Sequence, residues 1–158
     1  MKHKEPGLLL AQKWVPDHTN PEGYWISEKF DGVRAYYDPQ LKIFISRTGT
    51  DFECPVGFCE GFPTDHSLDG ELYMGRKKLA ETMLVLKSPT TSDWSKMTFV
   101  VFDTPSLQVP FEKRQEWIQE YFKLHSGTNA RLVENQICTG RDHVYELLKH
   151  YESLGGMK

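Results

Sequence analysis

Thr98-Phe99-Val100-Val101-Phe102-Asp103 restricts the fold of this chain more than any other segment. It is a near-continuous apolar run of strand length, and such a run belongs at the centre of a sheet. The segments that can flank it follow from pattern. Residues 24–29, 33–38 and 42–46 read as three strands of a small antiparallel meander, separated by Asp31-Gly32 and by Asp38-Pro39. Leu68 to Tyr73 alternates, with Leu68, Gly70 and Leu72 on one face and Asp69, Glu71 and Tyr73 on the other. A last strand is expected over Arg131 to Ile137.

Helices are expected over 77–87, with Leu79, Met83 and Leu86 on one face, and over 111–125, with Phe111, Ile118, Tyr121 and Phe122 as its stripe and Trp117 beside it. A third helix opens at the capping-box pattern Thr139-x-x-Asp142 and buries Val144, Leu147, Leu148 and Tyr151. Gly155-Gly156 closes it. Residues 1–23 read as an irregular lead-in in which Leu8 to Ala11 form a short packed segment. Residues 50–66 read as a long loop pinned by Phe52, Phe58 and Phe62. The whole is one α+β domain.

Composition narrows the function classes. The chain has 158 residues, 13% of them aromatic, and a net charge of −3, so no overall basic pull draws it to nucleic acid and any such contact needs a local patch. Cys54, Cys59 and Cys138 are an odd number, and Cys54-x4-Cys59 has no matching second pair, which argues against a disulfide framework and a structural zinc site. The histidines lack ligand spacing, and His143 and His150 read as helix-surface residues. No apolar run reaches membrane-spanning length. Met1-Lys2-His3-Lys4 before Leu8-Leu9-Leu10-Ala11 imitates a signal peptide, but the apolar part is too short and Gln12-Lys13 interrupts it. An intracellular, reducing setting without membrane contact is the expectation.

The chemistry-bearing residues concentrate around Ser27-Glu28-Lys29-Phe30-Asp31-Gly32-Val33-Arg34. Asp-Gly between strand-like runs marks a tight turn, so Lys29 is expected on a rigid turn at a sheet edge. A lysine is a nucleophile only when neutral, a state favoured by burial or by a neighbouring cation. Arg34 is either that cation or a phosphate grip, and the plain alternative is a hairpin with a solvated lysine. Asp69 and Glu71 share a face and are expensive if buried unpaired, so they face water or serve a ligand or metal. Ser46-Arg47-Thr48-Gly49 suits either a phosphate contact or a simple turn. Arg76-Lys77-Lys78, the densest basic cluster, is either a solvated helix start or a DNA-phosphate contact.

Taken in order, Lys29-Phe30-Asp31-Gly32-Val33-Arg34, Ser46-Arg47-Thr48-Gly49, Leu68-Asp69-Gly70-Glu71-Leu72 and Phe99-Val100-Val101-Phe102-Asp103 resemble successive motifs of the covalent nucleotidyltransferases. That superfamily includes ATP-dependent DNA ligases, RNA ligases and mRNA capping enzymes. The resemblance is strongest to the adenylation domain of small, minimal DNA ligases, through Glu71-Leu72-Tyr73-Met74-Gly75-Arg76, and it covers about residues 8 to 156. It implies an ATP-grasp-like domain of antiparallel sheets flanked by helices.

It further implies that Lys29 attacks the α-phosphate of ATP to form lysyl-AMP, which activates the 5′-phosphate of nicked double-stranded DNA with Mg²⁺ or another divalent metal. By the same resemblance Arg34 holds the ribose or the attacked phosphate, and Arg47 the nucleotide or nick phosphate. Glu71 binds the ribose or places a metal ion. Phe102 stacks on adenine, Ser27 and Glu28 read the adenine edge, and Asp31 and Gly32 shape the turn. The family's Glu-Gly-x-Met-x-Lys motif, Lys-x-Lys strand and OB-fold domain have no match after Gly155-Gly156, so an incomplete adenylation domain is expected. A non-catalytic nucleotide- or nucleic-acid-binding remnant and an RNA ligase or capping enzyme are the alternatives.

Overall fold

The computed structural model describes residues 3–6, 8, 16–88 and 92–155. Along the chain run β1 (Trp25–Ile26), β2 (Val33–Asp38), β3 (Ile43–Ser46), β4 (Asp51–Glu53) and β5 (Leu68–Tyr73), then α1 (Leu79–Lys87) and β6 (Thr98–Asp103). The rest comprises α2 (Phe111–Leu124), β7 (Ala130–Leu132), β8 (Gln136–Ile137) and α3 (Arg141–Ser153). Six strands form one sheet in the order β4-β3-β2-β5-β6-β7, and β1 and β8 form a second, two-stranded one. Neighbours are antiparallel except β6 and β7, which run parallel.

As its apolar run requires, β6 is interior: Phe99, Val100 and Val101 have no exposed surface. One face of the large sheet carries Ala35, Tyr37, Phe44, Leu72 and Val101, covered by Phe58, Phe62, Trp94 and, from α2, Ile118. The Phe44 ring lies 4.9 Å from Phe99, edge to face, and stacks on Trp94. Aromatic area of this kind contributes about 1.5–3 kcal/mol per buried ring, so the aromatic-rich composition is spent on this layer. The opposite face carries the residues of the candidate site.

Several expectations need correction. Asp31-Gly32 does not close a hairpin, because β1 pairs with β8 (Trp25 opposite Ile137) while β3 and β5 already occupy both sides of β2. With no free edge on β2, the turn becomes a passage between two sheets. The meander is β2-β3-β4, and the first residues of the expected loop 50–66 form β4; Phe58 and Phe62 do anchor the remainder. The expected strand over Arg131 to Ile137 is two short strands in different sheets. Val133 N–H still donates to Val101 O at 2.9 Å, after which the chain leaves the large sheet.

The helices differ in their faces. α1 starts at Leu79 because Lys77 is left-handed (φ 58°), and Thr82 is buried where Met83, 57% exposed, was expected. Its inward line runs through Thr82, Val85 and Leu86, three and four positions on from Thr82. The capping box does not form. Gly140 takes the N-cap position with φ +151°, and Thr139 N–H donates instead to His143 Nδ1 at 3.1 Å. His143, half-buried beside Thr139 and Gln136, stays on the helix surface as expected. Val144, Leu147, Leu148 and Tyr151 do share a face, but it is half-covered and no α3 residue is fully buried. Gly155, at φ +86°, ends the helix as expected and returns its N–H to Glu152 O. Leu9 to Ala11 and Gly156 lie outside the described residues. No helix among the described residues is long and apolar enough to cross a membrane.

Candidate functional site

Gly32 is where the Lys29 turn meets the sheet. A Cβ there would stand 2.2 Å from Leu72 O and 2.9 Å from Glu71 Cγ, so only glycine lets the turn lie directly on β5. The Gly32 N–H favours the charged form of the Glu71 carboxylate beside it. Phe30, 8% exposed, anchors the turn from below: its ring meets Tyr73 edge to face at 5.1 Å, and the Arg131 guanidinium lies 5.3 Å above it. Alternation along the turn sends Phe30 inward and leaves Lys29 exposed, so of the two routes to a neutral amine, burial and a neighbouring cation, burial is not the one found. Ser27 is also exposed and Asp31 half-buried.

Across from the turn, Arg34 and Glu71 are direct cross-strand partners. Arg34 makes a bidentate pair with Asp69, Nε to Oδ1 at 2.8 Å and Nη2 to Oδ2 at 2.6 Å. This resolves the two same-face carboxylates: Asp69, 1% exposed, is satisfied by Arg34, and Glu71 remains as the half-buried acid. Burial pushes Asp69 up against the opposing pull of Arg34, and the hydrogen bond to Asp69 raises Arg34 and keeps it a cation. Burial also pushes Glu71 up to about 7, against the opposing pull of Arg34, the Gly32 N–H and Lys29.

That shift has a measurable consequence. Glu71 holds its proton more tightly folded than unfolded, so its contribution to stability is full below its ordinary value of 4.5 and is lost as pH rises through about 7. Glu71→Gln should remove this dependence, gaining on the order of 2 kcal/mol over the parent between pH 5 and pH 8. Urea unfolding at both pH values measures it, and parallel pH profiles for the two proteins would contradict it.

Phe102 completes the face at a β-bulge. Asp69 pairs with Asp103 and Gly70 with Val101, which leaves Phe102 as the extra residue on β6. Bulges re-aim side chains at the cost of a ladder bond. Here the freed Phe102 carbonyl accepts from Gln115 Nε2 at 2.6 Å, and Gln115 Oε1 accepts from Asn135 at 3.1 Å. The half-buried Phe102 ring lies 5.7 Å from the Arg34 guanidinium.

Lys29, Arg34, Glu71 and Phe102 are thus gathered, but the other expected residues are not all free or adjacent. The Glu28 carboxylate is ion-paired with Arg76, which ties up both the expected adenine reader and the first member of the basic cluster. Lys77 and Lys78 are exposed, Lys78 lying 3.8 Å from Glu81. Arg47 stands exposed one strand away, on the β3–β4 turn, where Ser46 faces Ala35 in register and His3 N–H donates to Gly49 O. Asp69, Tyr73, Gln115 and Arg131 were not among the expected site residues. Asp69 had a signal in its shared face with Glu71; a single glutamine or arginine in a helix or strand carries none.

For a divalent metal, the described residues hold no cluster of three acidic, histidine or cysteine ligands. Glu71 alone fits the Mg²⁺ pattern of one carboxylate completed by phosphate oxygens and water.

The sheet order, the flanking helices and the charged face over β2 and β5 define an α+β domain, and its structural neighbours are DNA ligases. No family model matches the chain. A DNA ligase of Haemophilus influenzae is 30% identical over 135 residues, which are 85% of this chain and 49% of that protein. The chain therefore spans about half the length of the curated relative it matches. A Lig E DNA ligase, solved in a study of DNA binding with a minimal scaffold, superposes with a TM-score of 0.85 at 26% identity, over 96% of this chain and 59% of that one. Chlorella virus DNA ligase-adenylate shares the fold, with a TM-score of 0.64 at 16% identity over 92% and 54%. Over most of its length the chain is thus similar, in sequence and in fold, to about half of a DNA ligase.

Proposed function

We propose that this chain performs the nucleotide-activation step of an ATP-dependent DNA ligase. Lys29 Nζ, as the neutral amine, attacks the α-phosphorus of ATP, and the bond to the bridging oxygen breaks to release pyrophosphate. The AMP held on the lysine nitrogen then passes to the 5′-phosphate at a nick in double-stranded DNA. A 3′-hydroxyl displaces it there to form the phosphodiester. Because the chain matches about half of its curated relative, only the first step is assigned to these residues alone.

The observation that carries this reading is the seating of the Lys29 turn, through Gly32, against Glu71 and beside the Arg34–Asp69 pair. Phosphoryl transfer asks a protein mainly for alignment and charge stabilisation. Arg34, held by Asp69, presents a fixed cation to the ribose or α-phosphate, and Phe102 offers an apolar ring to adenine. Glu71 is the carboxylate for the ribose or for a divalent ion, which when bound would offset charge on the phosphates. Ser27 and the backbone at Glu28 lie at the adenine edge in this reading, while Arg47 contacts the nucleotide or the nick phosphate and the Arg76-Lys77-Lys78 cluster contacts DNA phosphates. For Arg76 that contact requires breaking its pair with Glu28.

Incubation with ATP and Mg²⁺ should add the mass of AMP to the intact chain, and Lys29→Ala should abolish the gain. A gain that survives the substitution removes Lys29 as nucleophile. No gain in the parent protein would favour a non-catalytic nucleotide- or nucleic-acid-binding module, a reading that the exposed Lys29 supports.

A further inference from the structure

Cys54 and Cys59, with four residues between them and no second pair to match, are each other's partner: their sulfurs lie 2.7 Å apart as free thiols. The segment that joins them is held from several sides. Phe58 N–H donates to Pro55 O, Asn129 Nδ2 donates to Phe58 O, and the Phe58 ring is buried against Phe44 and Trp94. Both cysteines are half-buried and line an open groove of about 540 Å³ with Tyr37, Pro39 and Lys42, so a small molecule can reach them. Cys138, by contrast, is buried, and its thiol is given to Gly140 O.

We propose that Cys54 and Cys59 are a dithiol oxidised to an intrachain disulfide by a small-molecule disulfide such as oxidised glutathione. Cys54, as thiolate, attacks one sulfur of the oxidant, forming a mixed disulfide and expelling one glutathione thiolate. Cys59 then gives up its proton and attacks the Cys54 sulfur, breaking the mixed disulfide and releasing the second glutathione. Two protein thiols lose two electrons and two protons, and one disulfide of the oxidant becomes two thiols. The order of attack follows from the hydrogen bond between the sulfurs, which lowers Cys54 below the ordinary thiol and pushes Cys59 up. The bridge closes a small ring on the core side of the sheet, away from the face that carries Lys29, and staples the segment after β4 to the aromatic layer.

The test starts from reduced protein freed of reductant and incubated with oxidised glutathione. A loss of about 2 Da in intact mass, reversed by a phosphine and mapped to Cys54–Cys59, is expected. Cys138→Ala should retain the loss, and Cys54→Ser and Cys59→Ser should each abolish it. The oxidised protein should melt about 5 °C higher than the reduced one, as a short-loop crosslink predicts for a domain of this size. An unchanged mass, a stable glutathione adduct on either cysteine, or a bridge that includes Cys138 would overturn the proposal. Because the readout involves neither ATP nor DNA, it stands or falls apart from the ligase reading.

Discussion

Asp69→Ala lowers the unfolding free energy by roughly 3 kcal/mol, because it strips the partner from a guanidinium built into the sheet. Asp69 is 1% exposed and accepts two hydrogen bonds from Arg34, whose side chain keeps 26% exposure, so the cost falls at the lower end of what breaking a buried pair entails. Arg34→Met approaches the same pair from the other side, leaving a carboxylate in a dry site. That variant recovers stability as pH falls, because Asp69 then escapes the penalty by taking a proton, whereas Asp69→Ala does not recover this way. Combining the two substitutions should cost less than the sum of the singles by about 2 kcal/mol, since each removes the group that the other leaves stranded. Urea titrations of the four proteins at two pH values measure all of this. Additive costs would mean that the pair contributes little and that Arg34 is held by other groups.

Gly32→Ala is expected to separate stability from chemistry. The new Cβ would lie 2.2 Å from a backbone oxygen, Leu72 O, and no rotamer relieves a clash with backbone. The turn must lift from β5, at a cost of roughly 2–3 kcal/mol as overpacking goes. Lifting it moves Lys29 relative to Arg34 and Glu71 by the order of an ångström, enough to slow a positioned phosphoryl transfer by about 100-fold. The measurement is the rate of AMP transfer to the chain under conditions where circular dichroism shows both proteins folded. A folded variant that adenylates at the parent rate would show that the contact of Gly32 with β5 does not position the lysine.

These two positions differ in how they announce themselves. Gly32 stands next to Asp31 in a dipeptide that marks a turn, and its turn-forming role is legible from sequence. That the turn crosses between sheets is not, since this depends on β3 and β5 having already filled both flanks of β2. Asp69 is legible as a residue sharing a face with Glu71. Which of the two acids Arg34 takes is decided by the register of β2 on β5 and by the shift at Asp69/Gly70, neither of which local pattern encodes.

Local pattern by itself determined much of where apolar surface is buried, though not the inward face of α1, where Thr82 stands in place of Met83. The interior place of β6, the inward Leu68 and Leu72, the helices at Leu79–Lys87 and Phe111–Leu124 and the glycine end of α3 follow from periodicities and turn residues within a few positions of one another. Only the tertiary structure decided the pairings between distant segments: β1 with β8, Arg34 with Asp69, Glu28 with Arg76, and Gln115 with the carbonyl freed at Phe102. The reason is physical. Burying an apolar side chain is favourable against almost any apolar neighbour, so sequence can specify it one residue at a time. A hydrogen bond or ion pair is directional, and its partner is fixed only when the whole sheet has set distance and angle.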